Sequence, residues 1–137
     1  MTSNLEGEPM ARAARPVSPH LQIYRWYLTM ALSIAHRVTG AALTFGLVLL
    51  TFWLLALAGG EDSFSTMRSI MDNPFGWLVM IGLTLALFFH TANGIRHLVW
   101  DAGYGFDKET ARSSGMIVIL VAAVLTLITW ISVVIAA

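Results

Sequence analysis

The sequence predicts an all-α membrane protein with three transmembrane helices. Three observations lead to this fold class. Of the 137 residues, 57% are hydrophobic and only 12% are charged. The mean hydropathy is +0.72. Three apolar stretches each reach about the 20 residues that a helix needs to cross a bilayer core.

The predicted spans are residues 28–58, 74–100 and 116–137. Gly59 and Gly60 end the first span, and Pro74 suits the first turn of the second. The third span is apolar apart from a few hydroxyl side chains that can bond to their own helix, Thr126, Thr129 and Ser132. Residues 28–137 therefore form one three-helix domain. A polar segment, residues 1–27, precedes this domain.

The two connections between the spans differ in character. Residues 61–72 carry Phe64, Met67 and Met71 at helical spacing, which predicts a short helix lying in the membrane interface with its apolar face inward. Residues 102–108 contain two glycines, an aspartate and a lysine. They predict a turn and a polar segment leading to the third span.

The distribution of lysine and arginine predicts the orientation, because cytoplasmic flanks carry the excess of these residues. Only Arg68 lies on the side of the first connection. The other seven lie at the start of span one or around the second connection: Arg12, Arg15, Arg25, Arg37, Arg96, Lys108 and Arg112. We therefore expect the N-terminus on the cytoplasmic (or matrix) side and the C-terminus on the opposite side.

The end of the second span carries a polar stripe. His90, Gly94, His97 and Asp101 follow one another at i, i+4, i+7 and i+11, so they share one face of a helix. Ionisable groups inside a bilayer cost at least about 2.5 kcal/mol each on insertion scales, and they usually mark a site. The stripe is therefore the first candidate for function.

A second polar stripe begins the first span. Ser33, His36, Arg37 and Gly40 lie on one face of the helix. Antiparallel pairing of the two spans is expected to bring Ser33, His36 and Arg37 to about the depth of His97 and Asp101. His90 is then expected roughly 10 Å deeper, by helical rise.

A neutral imidazole deep in an apolar bundle can serve as an axial ligand of a b-type haem, and His90 is the candidate. Cations nearer the surface, Arg37 and His36 with His97 and Arg96, can neutralise haem propionates by charge-assisted hydrogen bonds. Gly94 lets a flat ring approach the backbone. With one histidine at that depth, the second haem ligand would come from another subunit. The chain has no cysteine, which excludes c-type haem and an intrinsic iron–sulfur cluster.

Structural interpretations stay open for the same residues. An intramembrane histidine such as His90 often only hydrogen-bonds a neighbouring helix. Arg37 and Arg96 lie near span ends and can reach the interface without binding a ligand. His97 with Asp101 can be an orienting pair. His20 is expected at the surface, and the tryptophans are expected in the interfacial belt or in bundle packing: Trp53, Trp77, Trp100 and Trp130.

Three motifs resemble one known family. They are RPVSPHLQIY at residues 15–24, SIAHRVTG at 33–40 and HTANGIRHLVWD at 90–101. In this order and in these spans they closely resemble the cytochrome b membrane-anchor (large anchor) subunit of succinate dehydrogenase, complex II. The resemblance extends from Arg15 through the third span.

The resemblance implies roles for individual residues. His90 matches the haem axial ligand, and His36 with Arg37 match residues near the haem propionates. Ser33 and Arg37 match residues that line the ubiquinone site. His97 and Asp101 match polar positions close to the same pocket, where Asp101 can belong to a proton path.

The resemblance also implies the setting of the chain. Its partners would be a flavoprotein subunit, an iron–sulfur subunit and a small membrane-anchor subunit, within a lipid bilayer and without nucleic acid. The chain would belong to an enzyme without being catalytic alone. We expect the inner membrane of a bacterial cell rather than of a mitochondrion.

Two alternative functions remain open at this stage. One is the anchor of a quinol-oxidising fumarate reductase, which shares the architecture and runs in reverse. The other is a haem-free helical anchor whose polar stripes form a proton path.

Overall fold

The fold consists of helices joined by short turns. The computed structural model describes residues 24–136, so His20 and the first predicted motif up to Ile23 lie outside the described part. The helices are α1 (Leu28–Ala58), α2 (Glu61–Met71), α3 (Pro74–Asp101) and α4 (Lys108–Ala136). α1, α3 and α4 are long and apolar enough to cross a membrane, which confirms the predicted fold class.

The turn between α1 and α2 and the start of α3 follow local chemistry. Gly60 adopts φ 93°, a backbone conformation that glycine tolerates best. Asn73 caps α3, because its side-chain oxygen accepts hydrogen bonds from the amides of Phe75 and Gly76 at 3.0 and 3.1 Å. These signals place the helix boundaries where the sequence predicted them.

α2 is the short helix that the sequence predicted between the first two spans. Phe64, Met67 and Met71 are its half-buried residues, and every other α2 side chain is exposed. Phe64 packs edge-on against Trp53 of α1, with 5.4 Å between ring centroids. α2 thus covers the end of α1 opposite the polar stripes.

α4 begins eight residues before the predicted third span, at Lys108 rather than Met116. The helix therefore begins at Lys108, the last residue of the predicted polar segment. Asp107 explains the early start, since its side chain accepts a hydrogen bond from the Thr110 amide at 2.8 Å. The same backbone hydrogen bond lowers the pKa of the exposed Asp107 carboxyl.

α3 packs between α1 and α4, antiparallel to both. Its contact with α4 is close because small residues face one another there, with Ala86 of α3 and Ala122 of α4 both buried. Gly115 of α4 leaves room for Leu32, whose Cδ1 would lie 2.6 Å from an added Cβ. The hydroxyls of Thr126, Thr129 and Ser132 donate to carbonyls of α4 itself, as predicted.

Candidate functional site

The imidazole of His90 is held by two oxygen atoms of α1. Its Nδ1 lies 3.1 Å from the carbonyl oxygen of His36 and 3.2 Å from the Thr39 hydroxyl. That hydroxyl donates its own proton to the carbonyl of Ala35 at 2.8 Å. Both neighbours of Nδ1 are therefore acceptors, so Nδ1 carries the proton of the neutral ring.

This tautomer leaves the lone pair of His90 on Nε2. Nε2 has no hydrogen-bond partner among residues 24–136. A histidine that binds a metal typically donates its other ring N–H to a carbonyl or carboxylate, which fixes the ring and the tautomer. His90 therefore fits an axial haem ligand in both its protonation and its orientation.

Gly40 of α1 lies directly against this ring. A Cβ added to Gly40 would lie 3.0 Å from Cε1 of His90. The absence of a side chain at Gly40 therefore allows α1 to approach the ring closely, and the ring has little freedom to move toward α1.

His36 lies between the two histidines of α3. Its ring stacks on that of His90 with centroids 3.8 Å apart and planes 8° from parallel. The ring of His97 is 5.3 Å away on the other side. Nδ1 of His36 is buried without a hydrogen-bond partner in the described part of the chain. Stacking covers a face of the His90 ring, whereas Nε2 lies at the edge of that ring.

The register of α1 on α3 differs from the expected one by about a helical turn. Gly40 packs on His90, and His36 lies level with Gly94, whose added Cβ would be 4.0 Å from Cε1 of His36. The prediction that His36 and Arg37 lie at the depth of His97 and Asp101 is therefore wrong, as is the prediction of a single histidine near His90. The cause is the close approach that Gly40 permits, which hydropathy alone does not reveal.

Ser33 does lie near His97, as predicted. Both line a cavity of about 370 Å³ between α1 and α3. Most of the remaining residues of the wall are apolar or aromatic, and Arg96 carries a charge. These remaining residues are Thr29, Met30, Ile34, Arg96 and Trp100. The edge of the Trp100 ring system lies against His97, with centroids 5.1 Å apart. The cavity combines apolar walls with a few polar groups, which is typical of a ligand site.

Arg37 and Asp101 lie outside this cluster. Both are exposed, and neither forms a hydrogen bond through its side chain within residues 24–136. Arg37 lies nine residues into α1, about 14 Å along the helix axis. Asp101 ends α3, and the suggested pairing with His97 is not observed.

Arg96 is buried, which excludes the interpretation that it reaches the interface. Only 6% of its surface is exposed. Its guanidinium donates to the Ser114 hydroxyl at 3.0 Å, to the Ala111 carbonyl at 2.8 Å and to Asn93 Oδ1 at 3.3 Å. It also lies 3.9 Å from the ring centroid of Trp100. Arg96 therefore faces α4, and the expectation of a haem propionate partner does not fit this side chain.

Thr39 is the site residue that the sequence analysis missed. A threonine inside an apolar helix gives no distinctive signal, and its role depends on the register of a neighbouring helix. The proximity of Thr39 to Gly40, where α3 approaches closely, was the available hint. Trp100 was expected only in packing or the belt, whereas it also forms a wall of the cavity.

Comparison with known proteins identifies the family of the chain. Residues 11–129 match the family described as succinate dehydrogenase/fumarate reductase transmembrane subunit. The chain is thus a member of a class of transmembrane subunits.

Individual relatives have more specific names than the family does. The chain is 42% identical over 120 residues to the succinate dehydrogenase cytochrome b556 subunit of Paracoccus denitrificans, covering 85% of this chain and 92% of the relative. It is 36% identical over 117 residues to the cytochrome b556 subunit of Rickettsia felis, covering 85% and 91%. It is 42% identical over 108 residues to the mitochondrial cytochrome b560 subunit of Sus scrofa, covering 77% of this chain and 64% of the relative. The chain belongs to the succinate dehydrogenase/fumarate reductase transmembrane subunit family.

Proposed function

We propose that the chain is a membrane-anchor subunit of succinate dehydrogenase that helps to form a ubiquinone-reduction site and binds b-type haem together with a partner subunit. The relatives at 36–42% identity are all named as succinate dehydrogenase cytochrome b subunits, which favours succinate oxidation over the reverse reaction. The observation that carries the proposal is the cavity beside Ser33 and His97, within two helical turns of a histidine whose Nε2 is free.

His90 would hold the haem iron through Nε2. The carbonyl of His36 and the hydroxyl of Thr39 would keep the ring oriented for that bond. A bound b-type haem supplies one-electron chemistry and joins the subunits that ligate it. His36, Arg37 and His97 would donate hydrogen bonds to the haem propionates. Gly94 would let the flat haem ring approach the backbone of α3.

The cavity would hold the quinone head group. Ubiquinone takes up two electrons and two protons to form the quinol. The electrons come from succinate through the flavoprotein and iron–sulfur subunits. The Ser33 hydroxyl would hydrogen-bond a quinone carbonyl. Arg37 does not line the cavity but lies one helical turn from Ser33 on the same face of α1, and it would stabilise the negative charge that develops on a quinone oxygen. Asp101, exposed at the end of α3, would supply protons through water from the cytoplasmic face.

The test compares two electron acceptors in the assembled membrane complex. Succinate oxidation is measured with ubiquinone and with a dye that takes electrons before the membrane subunits. We expect Arg37→Leu to lower the quinone rate by about tenfold or more, and Ser33→Ala to lower it less, because a charge-assisted contact is stronger than a neutral one. The dye rate should stay near that of the wild type.

Ser132→Ala and Arg68→Leu are the matched controls, because both change the same residue types at exposed positions away from the cavity. They should leave both rates unchanged. Normal quinone reduction in Ser33→Ala and Arg37→Leu would place the quinone elsewhere. Equal loss of the quinone and dye rates would indicate failed assembly.

A further inference from the structure

Arg96 is a buried charge without a counter-ion in residues 24–136. Its three hydrogen bonds go to a hydroxyl, a backbone carbonyl and a side-chain amide, all neutral groups. The guanidinium stays protonated under all ordinary conditions. Its positive field is therefore not cancelled by the part of the chain that the structure describes.

The position of this charge is fixed. Nε and Nη2 are held by Ser114 and Ala111 of α4, and the ring of Trp100 lies against the guanidinium. Hydrogen bonds and packing on different sides restrict the rotamers of the side chain. A cation held in this way needs no reorganisation when a nearby group becomes negative.

Arg96 also forms part of the wall of the cavity that contains Ser33 and His97. A fixed positive charge in the wall of a protein cavity acts more strongly on charge inside it than it would in bulk water, because the effective dielectric constant within a protein is below that of water. Arg37, by contrast, is exposed and held by nothing in the described chain.

We propose that Arg96 is a positioning and electrostatic residue of the quinone site, supplying a fixed positive charge that stabilises the quinone as it becomes negative. The inference rests on the proposed function. The two electrons reach the quinone from the iron–sulfur subunit, and the two protons that complete the quinol arrive from the cytoplasmic face through water near Asp101. Arg96 gives up no proton and acts only while negative charge on the quinone oxygens is not yet neutralised.

The test places a counter-charge beside Arg96 without removing it. Ser114→Asp puts a carboxylate next to Nε of Arg96, where it preserves the link between α3 and α4 and offsets the field. Ser114→Asn is the matched control, with a similar size and no charge. We expect Ser114→Asp to lower kcat for quinone reduction by about tenfold with little change in KM, because a neutral bound quinone barely senses the charge. Ser114→Asn should stay within about threefold of the wild type.

Arg96→Lys and Arg96→Gln form a second pair. Lysine keeps the charge and loses most of the hydrogen bonds to α4, whereas glutamine loses the charge. The proposal predicts that Arg96→Lys retains most of the quinone rate and Arg96→Gln does not. Similar loss in both, or equal kcat in Ser114→Asp and Ser114→Asn, would assign Arg96 to helix packing alone and overturn the proposal.

Ser33→Ala separates this inference from the proposed function. If Ser33→Ala impairs quinone reduction while Ser114→Asp does not, only the role of Arg96 fails. If Ser33→Ala and Arg37→Leu leave quinone reduction unchanged, the assignment of the cavity fails as well. The dye rate and the optical spectrum of each variant report whether the complex has assembled.

Discussion

At the scale of single residues, the chemistry of His90 depends on groups that lie far from it in the sequence, on another helix. The polar stripe that contains His90 could be predicted from spacing alone. Its tautomer could not, because the two acceptors that fix Nδ1 belong to α1. Arg96 shows the same limit, since its acceptors on α4 are a serine and a backbone carbonyl, which no pattern distinguishes.

Gly40→Ala tests the packing of α1 against His90. The added Cβ would lie 3.0 Å from Cε1 of the ring, so the ring or the helix has to shift. We expect reduced haem content, or a shifted haem absorption band, in the purified complex. Supporting groups around a ligating histidine typically change affinity about 10- to 100-fold when they are lost.

Gly82→Ala is the control for this change, because an added Cβ at Gly82 of α3 meets no atom within 4 Å. It should leave haem content and spectrum as in the wild type. If Gly40→Ala also leaves both unchanged, then close contact with Gly40 does not hold the ring in place.

At the scale of helices, the sequence predicted α1, α2 and the start of α3 well because each boundary carries a local signal. Gly60 and Asn73 are such signals. The start of α4 was missed because residues 108–115 lack the apolar periodicity that marks a span. Those two polar turns carry Ala111 and Ser114, which accept hydrogen bonds from Arg96.

Asp107→Ala tests the cap that starts α4. The Asp107 side chain accepts from the Thr110 amide, and this bond lowers the carboxyl pKa below its usual 3.8. A lowered pKa means that the cap stabilises the helix at neutral pH and is lost only as the pH falls through the lowered value. We expect faster amide hydrogen exchange in the first turn of α4 for Asp107→Ala at neutral pH.

Asparagine is a good N-cap without charge, so Asp107→Asn should retain most of the protection. The difference between Asp107→Ala and the wild type should persist down to pH 3.8 and disappear once the Asp107 carboxyl is protonated. Identical exchange in Asp107→Ala and the wild type at neutral pH would rule out the cap as the reason for the early start of α4.

At the scale of the whole molecule, the three long helices bury little of their surface against one another. Leu32 is the one buried residue that α1 contributes in the described chain. Large apolar side chains along the rest of α1, such as Phe45 at 77% exposure, face outward. Lipid and partner helices would cover them, which agrees with the expectation that this chain is part of a multi-subunit bundle.

The orientation of the chain in the membrane is also a prediction about the whole molecule. Seven of the eight lysines and arginines flank one membrane face, and only Arg68 lies on the other. A reporter fused after Ala137 should be active only if it is of a type that works outside the cytoplasm. Cytoplasmic activity would reverse the orientation and move the quinone cavity to the opposite membrane face.

The central claim, that His90 ligates a b-type haem in an assembled complex, is tested most directly by the reduced-minus-oxidised optical spectrum. We compare the wild type, His90→Leu and His36→Gln, because His36 stacks on the same ring and its unpartnered Nδ1 is buried. The wild type should show the band of a low-spin b-type haem. His90→Leu should lose or strongly alter that band, and His36→Gln should retain it with a modest shift. An unchanged spectrum and haem content in His90→Leu would contradict the account.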